Sequence, residues 1–191
     1  STPSPKPSKP TTSTKSPSNG DVIPPANRKR QTQQYVQHTM TALTTEEFIT
    51  WANRLTGLPW PMTTKEFATI ATREFGWTIF DGEQVLTATF SRFFEYVLVG
   101  KRSTGEVRRI LFAAAKITNK RDRSESIQLN DHFVKYVNAG STEWGEAFKT
   151  IIGKRPLKAW RTNNDGICEL VRGPHEVTFT FYTPQGARYY E

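Results

Sequence analysis

Three histidines and one cysteine are the side chains of this sequence suited to nucleophilic or proton-transfer chemistry near neutral pH. Cys168 and His175 stand on consecutive elements near the end of the chain. A thiolate–imidazole pair there needs hydrogen-bond reach across a hairpin and an activating environment. A buried inert thiol and a turn histidine is the simpler reading, because free cysteine is among the most buried residue types. His132 follows Asp131 in a segment of helical spacing, where neighbours point about 100° apart and do not form a ready pair. His38 reads as a surface side chain ahead of the first helix. Asp81, Glu83, Glu95 and Glu106 fall near predicted turns or strand ends and are too scattered to mark an acid–base pair. Neither a Gly-rich phosphate loop nor HExxH occurs, and a single cysteine rules out an internal disulfide and a Cys-rich zinc site. The expectation is a non-catalytic protein with no cofactor.

The basic residues are the other source of chemistry. Lys101, Arg102, Arg108 and Arg109 cluster about a predicted hairpin, with Lys116, Lys120, Arg121 and Arg123 at its far end. A basic strand pair with aromatic rings is one way to hold RNA or single-stranded DNA. Against that reading, Phe93, Phe94 and Tyr96 alternate as a core strand does, and the pairs Lys101/Glu106 and Arg123/Glu125 dilute the field. The net charge of +8 is also unevenly spread. Residues 1–34 hold six basic groups (Lys6, Lys9, Lys15, Arg28, Lys29, Arg30) against Asp21, a net of +5, and residues 35–191 hold 20 basic and 17 acidic groups, a net of +3. Arg28, Lys29 and Arg30 are the tail's candidate phosphate contacts, although three charges fall short of a basic run of about five to eight.

Two regions of different composition carry these groups. Residues 1–34 are rich in Ser, Thr, Pro and Lys and poor in apolar residues, so they cannot bury enough surface to offset the entropy of ordering. They are expected to form a disordered, semi-extended basic tail. Residues 35–191 are expected to form a single α+β domain. Its two opening helices are announced by Thr44-Thr45-Glu46-Glu47 and Thr63-Thr64-Lys65-Glu66, both of the Thr-x-x-Glu capping-box form, and end at Gly57 and Gly76. Alternating patterns follow at Trp77–Phe80 and Val85–Phe90 around Asp81-Gly82, then at Phe94–Gly100 and 106–117, predicting four antiparallel strands. The last of them is apolar on both faces and should be central.

After a polar loop at 118–126, Leu129, Phe133, Tyr136 and Val137 have helical spacing. Trp144, Phe148, Ile151 and Ile152 repeat it beyond Gly140-Ser141, which predicts a second helix. Strands near Leu157–Arg161, Ile167–Val171 and Val177–Tyr182 close the chain, with turns at Asn163-Asn164-Asp165-Gly166 and Gly173-Pro174. Helices segregated from antiparallel strands make an α+β sheet, not a βαβ nucleotide fold.

Several of these segments together resemble a family of uncharacterised actinobacterial domains discussed as candidate immunity proteins of secreted-toxin loci. The resemblance rests on Leu58-Pro59-Trp60-Pro61-Met62, Phe75-Gly76-Trp77, Leu86–Phe90, Ile152-Gly153-Lys154-Arg155-Pro156 and Trp160, and spans about residues 44–182. It implies a protein that recognises another protein, an immunity or chaperone-like partner of a secreted effector, with no catalytic residues to carry over. The hairpin tips and the 118–126 loop are the candidate binding surface. The alternative expectation is a nucleic-acid-binding protein of viral or phage structural type that uses the tail and the basic hairpin. No apolar run is long enough to span a membrane, and the lone cysteine fits a cytoplasmic location, with an exported or anchored form left open.

Overall fold

A computed structural model describes residues 40–191. The expected tail of residues 1–34 with Arg28, Lys29 and Arg30, together with His38, therefore lies outside the described residues. A short strand β1 (Met40–Ala42) leads into helices α1 (Thr45–Thr56) and α2 (Thr64–Phe75). Each helix opens on a complete capping box. The Glu47 amide donates to Thr44 Oγ1 at 3.1 Å while the Thr44 amide donates to Glu47 Oε2 at 2.8 Å, and Thr63 with Glu66 repeats the exchange. Gly76 ends α2 at φ +69°, the left-handed conformation that favours glycine.

The remaining elements are β2 (Thr78–Asp81), a 3₁₀ turn at Gly82–Gln84, β3 (Val85–Phe90), β4 (Phe93–Lys101), β5 (Val107–Ile117), α3 (Arg123–Trp144), β6 (Lys149–Ile151), β7 (Leu157–Arg161), β8 (Ile167–Arg172), β9 (Glu176–Tyr182) and α4 (Pro184–Ala187). They form an α+β fold, as expected. The strands join into one antiparallel sheet in the order β2-β3-β4-β5-β9-β8-β7-β6, with β1 also paired to β5. The expected central strand is β5: it pairs β9 on one side, and on the other β4 over its first half and β1 over its last residues.

Helices α1 and α3 bury one face of this sheet. Phe48 of α1 stacks between Tyr136 of α3 (4.9 Å between ring centroids) and Phe179 of β9 (5.4 Å). The buried Tyr136 hydroxyl donates toward the carbonyls of Leu43 at 2.7 Å and Ala114 at 3.1 Å, tying the start of the domain to the central strand. Burial pushes that phenol far above its ordinary pKa, so it stays a donor.

The expected helix break at Gly140-Ser141 is absent, and α3 runs through it to Trp144. Gly140 serves packing: a Cβ there meets Trp144 Cζ3 at 3.0 Å and Trp160 Cη2 at 3.1 Å, so only glycine lets the two indoles close on the helix. The true stop is Gly145 at φ +85°. The predicted second helix, over Trp144, Phe148, Ile151 and Ile152, is absent: Trp144 ends α3, Phe148 and Ile152 flank the three-residue edge strand β6, and only Ile151 lies within it, so their helical spacing is a coincidence. The helix also starts inside the expected loop, because Asp122 caps it by accepting from the Ser124 amide at 2.8 Å.

Candidate functional site

The helices cover one face of the sheet, and the other face is where the molecule presents its largest apolar side chains to solvent. Along β4 the alternation is strict: Glu95, Val97 and Val99 are buried, while Phe94, Tyr96 and Leu98 are 54%, 42% and 43% exposed. Directly opposed residues of antiparallel strands share a face. Leu98 stands opposite Val85 on β3 and Leu111 on β5, and Tyr96 opposite Thr87. Phe80, 62% exposed, joins them from β2 by setting its ring 5.0 Å from Tyr96 at 68°, and Phe94 approaches Tyr96 at 5.5 Å and 77°. Edge-to-face contacts of this kind fix ring orientation without desolvating the patch. A contiguous exposed cluster of this size marks an interaction surface far more often than single surface hydrophobics do.

This patch corrects the expectation that Phe94 and Tyr96 belong to the core. The charged Glu95 takes the buried row, where Lys116 pairs with it at 3.5 Å. The polar residue that should mark the solvent face thus marks the other one.

Beyond Leu98 the open face turns cationic. Arg109 lies opposite Gly100, and its stem occupies the space a side chain at 100 needs, with Cγ 2.9 Å from an added Cβ. It continues to Tyr182, whose phenol is pushed up by burial and by Glu169 and held back by the Arg109 guanidinium. Over β8 and β9 the same face is partly covered by the residues after α4: Tyr190 donates to Glu169 Oε2 at 2.5 Å and packs its ring 4.9 Å from Tyr182 and 5.8 Å from Phe148.

The sequence-predicted basic residues do not form one surface. Lys101, Arg102, Arg108 and Arg109 gather at one end of β5. There Lys101, Arg102, Ser103 and Arg108 line a shallow cavity of about 320 Å³ with Tyr189. Arg102 bonds the Tyr189 hydroxyl at 2.9 Å and lies over its ring at 4.9 Å. It also takes Glu106 as its ion-pair partner at 3.7 Å, replacing the expected Lys101/Glu106 pair. Lys120 and Arg121 sit in the turn beyond the other end of β5, and Arg123 is the first residue of α3. The separation from Arg108 to Ile117 alone is about 30 Å at roughly 3.3 Å per residue.

The expected Arg123/Glu125 pair is also replaced. Glu125 is buried and accepts from the amides of Thr118 and Asn119 at 2.7 and 2.9 Å and from Thr118 Oγ1 at 3.1 Å. The 118–122 loop is therefore strapped to α3 by a carboxylate. Glu125→Gln retains one acceptor but loses the charge, and is expected to cost about 1.5 kcal/mol, lowering the thermal midpoint by roughly 3–6 °C in a melting experiment.

The residues suited to catalysis stay apart. Cys168 is fully buried and burial alone raises its thiol well above the ordinary value. It lies opposite Phe181, whereas His175 sits in the β8–β9 turn, past Arg172 and more than about 13 Å along the strand. Native protein is expected to resist thiol alkylation on the timescale on which the denatured chain reacts completely, a difference that mass spectrometry reads directly. His132 is half-buried, and its pKa is lowered by burial and by Lys135 against the opposing pull of Asp131. It lines a cavity of about 430 Å³ with β1, Arg92, Phe93 and Gln128, and no carboxylate joins it there. Glu83 accepts from Thr64 Oγ1 at 2.9 Å, Asp81 ends β2, and Glu106 lies in the connection between β4 and β5. Among the described residues no group of three His, Cys, Asp or Glu side chains is placed to hold a metal ion.

Nothing local in the sequence marks Phe80, Leu98 and Leu111 as members of an open face. The available signal was the run Phe93-Phe94-Glu95-Tyr96-Val97-Leu98-Val99, apolar at both parities in a sheet that has helices for only one face.

A family model described as "Family of unknown function (DUF6301)" matches residues 46–183. Among solved structures, the chain is similar to a DUF4309 family protein (YjgB) from Bacillus subtilis, with 8% identity over 73% of this chain and 95% of that one and a TM-score of 0.41, a likeness that carries no argument. None of the curated proteins matches.

Proposed function

The chain belongs to the DUF6301 family of unknown function, and from that premise we propose that its domain is a non-catalytic protein-binding module whose docking surface is the open face of the sheet. The exposed cluster of Phe80, Phe94, Tyr96 and Leu98 carries this reading. Aromatic side chains supply large contact area for little lost conformational freedom, and Arg109 at the end of the patch offers a charged anchor. The separation of Cys168, His132, His175 and the turn carboxylates supports the non-catalytic part. The sequence resemblance to candidate immunity proteins of actinobacterial toxin loci makes a secreted effector or toxin the proposed partner, with this chain as its immunity or chaperone-like protein. The cytoplasm is the proposed compartment, supported by the single, buried thiol; no described helix is long and apolar enough to cross a membrane.

The test is coexpression of the full chain with the products of neighbouring genes, run in parallel with a Phe94→Thr/Tyr96→Thr variant. A stable partner recovered by the first and lost by the second supports the reading. Equal recovery by both, or none by either, overturns it.

A second reading is favoured by one observation. Arg109 of β5 stands at the end of the aromatic patch, opposite Gly100, and rings on an open sheet face beside a cation suit single-stranded nucleic acid. Retention of RNA or single-stranded DNA that weakens steeply with salt, and is lost when residues 1–34 are removed, supports it. Indifference to both salt and tail removal eliminates it.

A further inference from the structure

We infer that the cavity at the tip of the β4–β5 hairpin is a binding site for a phosphate head, carried as a monoester on a small molecule or present as the free ion. The inference is independent of the docking reading above, because none of the cavity's residues belongs to the aromatic patch. A β-bulge builds the site. Gly100 pairs with Arg109 and Lys101 with Val107, so Arg108 is the extra residue on β5. Bulges re-aim a side chain and are frequent beside functional sites. This one is fixed through its main chain: the Arg108 carbonyl accepts from the Thr183 amide at 3.1 Å and lies against Gly186 of α4.

The Arg108 guanidinium lies 5.9 Å from the centre of the Tyr189 ring, which Arg102 also covers at 4.9 Å. One ring thus gathers two guanidiniums, and Lys101 and Ser103 complete the lining of the cavity of about 320 Å³. Like charges held this close repel, and an anion between them reverses the sign of that interaction. Arginine forks suit the three oxygens of a phosphate better than the two of a carboxylate.

The surrounding charge favours a dianion. Lys101, Arg102 and Arg108 line the cavity and no carboxylate does. Glu106 meets Arg102 at 3.7 Å, longer than a hydrogen bond, and also accepts from Thr104 Oγ1 at 3.2 Å. Of the other acids on adjoining elements, Glu66 closes the α2 capping box, Glu83 lines the groove against α2, and Glu169 accepts from Tyr190. Among the described residues Lys101 and Arg108 have no carboxylate partner, and Arg108 Nε is buried without an acceptor. Three cations less one acid leave +2, the counterpart of a phosphate head that carries about −1.5 to −2 near neutral pH.

The test is titration of the full chain, followed by two-dimensional NMR, with inorganic phosphate, glycerol 3-phosphate, acetate and an oligonucleotide without terminal phosphates. Both phosphates are expected to bind saturably and to shift the amides of residues 101–108 and Tyr189, with acetate at least about tenfold weaker; the tighter phosphate identifies the free ion or the ester as the source. Arg108→Gln is expected to weaken them about tenfold. Lys101→Gln, at an exposed position, is expected to weaken them about threefold and reads the site even if Arg108→Gln unseats α4. Glu106→Gln is expected to tighten them about threefold, because it frees Arg102. Absence of saturable phosphate binding, equal binding of acetate, or shifts elsewhere overturns the site. An oligonucleotide that binds these residues more tightly than either phosphate also overturns it, in favour of a nucleic-acid strand.

Discussion

Phe94→Thr combined with Tyr96→Thr is expected to weaken partner binding by about 100-fold while lowering the thermal midpoint by only about 4–8 °C. The magnitude follows from central interface aromatics, which typically contribute about 2 kcal/mol or more each and less than additively as neighbours, against about 1.4 kcal/mol per tenfold in affinity. The small stability effect follows from exposure. Both rings already stand in water to about half their surface, so truncation forfeits only about 1 kcal/mol of burial each, well below the cost at a fully buried ring. Threonine retains the β-branch that suits a pleated strand. The two outcomes separate a docking surface from a core: a titration against the recovered partner reads the first and a melting curve the second. A fall in the midpoint as large as a core truncation causes means that the rings hold the fold together instead.

Gly186→Ala is expected to destabilise the domain by about 3 kcal/mol, lowering the midpoint by roughly 6–12 °C. A Cβ at this position falls 1.9 Å from the Arg108 carbonyl oxygen and 2.9 Å from its carbon. Those are backbone atoms of the central strand, so no rotamer change relieves the clash. α4 has to lift. Lifting strips the Thr183 anchor, in which the amide donates to the Arg108 carbonyl at 3.1 Å and the hydroxyl to the Val107 carbonyl at 2.9 Å. It also breaks the cap that the Gly186 amide makes with Thr183 Oγ1 at 3.1 Å. Amide exchange is expected to quicken at residues 183–190 first, because that segment loses its seat before the rest of the sheet feels the change. An unaltered midpoint shows that α4 contributes nothing to holding the chain end over Glu169 and Tyr182.

The parts of this fold legible in the sequence are those whose cause is local. The two Thr-x-x-Glu starts form because cap and acceptor lie three residues apart, and the turn at Asn163-Asn164-Asp165-Gly166 forms with Asp165 at φ +63°. Gly140 reads locally as a stop that divides α3, whereas the cause of the glycine is the approach of Trp144 and Trp160. β1 carried too few residues to announce itself and exists because β5 offers an unpaired edge beyond Leu111.

The candidate site was harder for the same reason. Alternation along β4 is visible in its sequence, but which parity meets water depends on where the helices lie, and Glu95 points the wrong way because Lys116 accompanies it from another strand. The basic residues illustrate a further limit. Arg102 rather than Lys101 reaches Glu106, and Glu125 turns to backbone amides rather than Arg123. Charge counts locate fields, while pairing depends on side-chain direction.

The most direct test of the open face as the docking surface is amide exchange on the full chain with and without its recovered partner. Protection concentrated at residues 78–81 and 93–98 is the predicted result. Protection confined to residues 101–109 and 119–123, with the aromatic face unchanged, contradicts it.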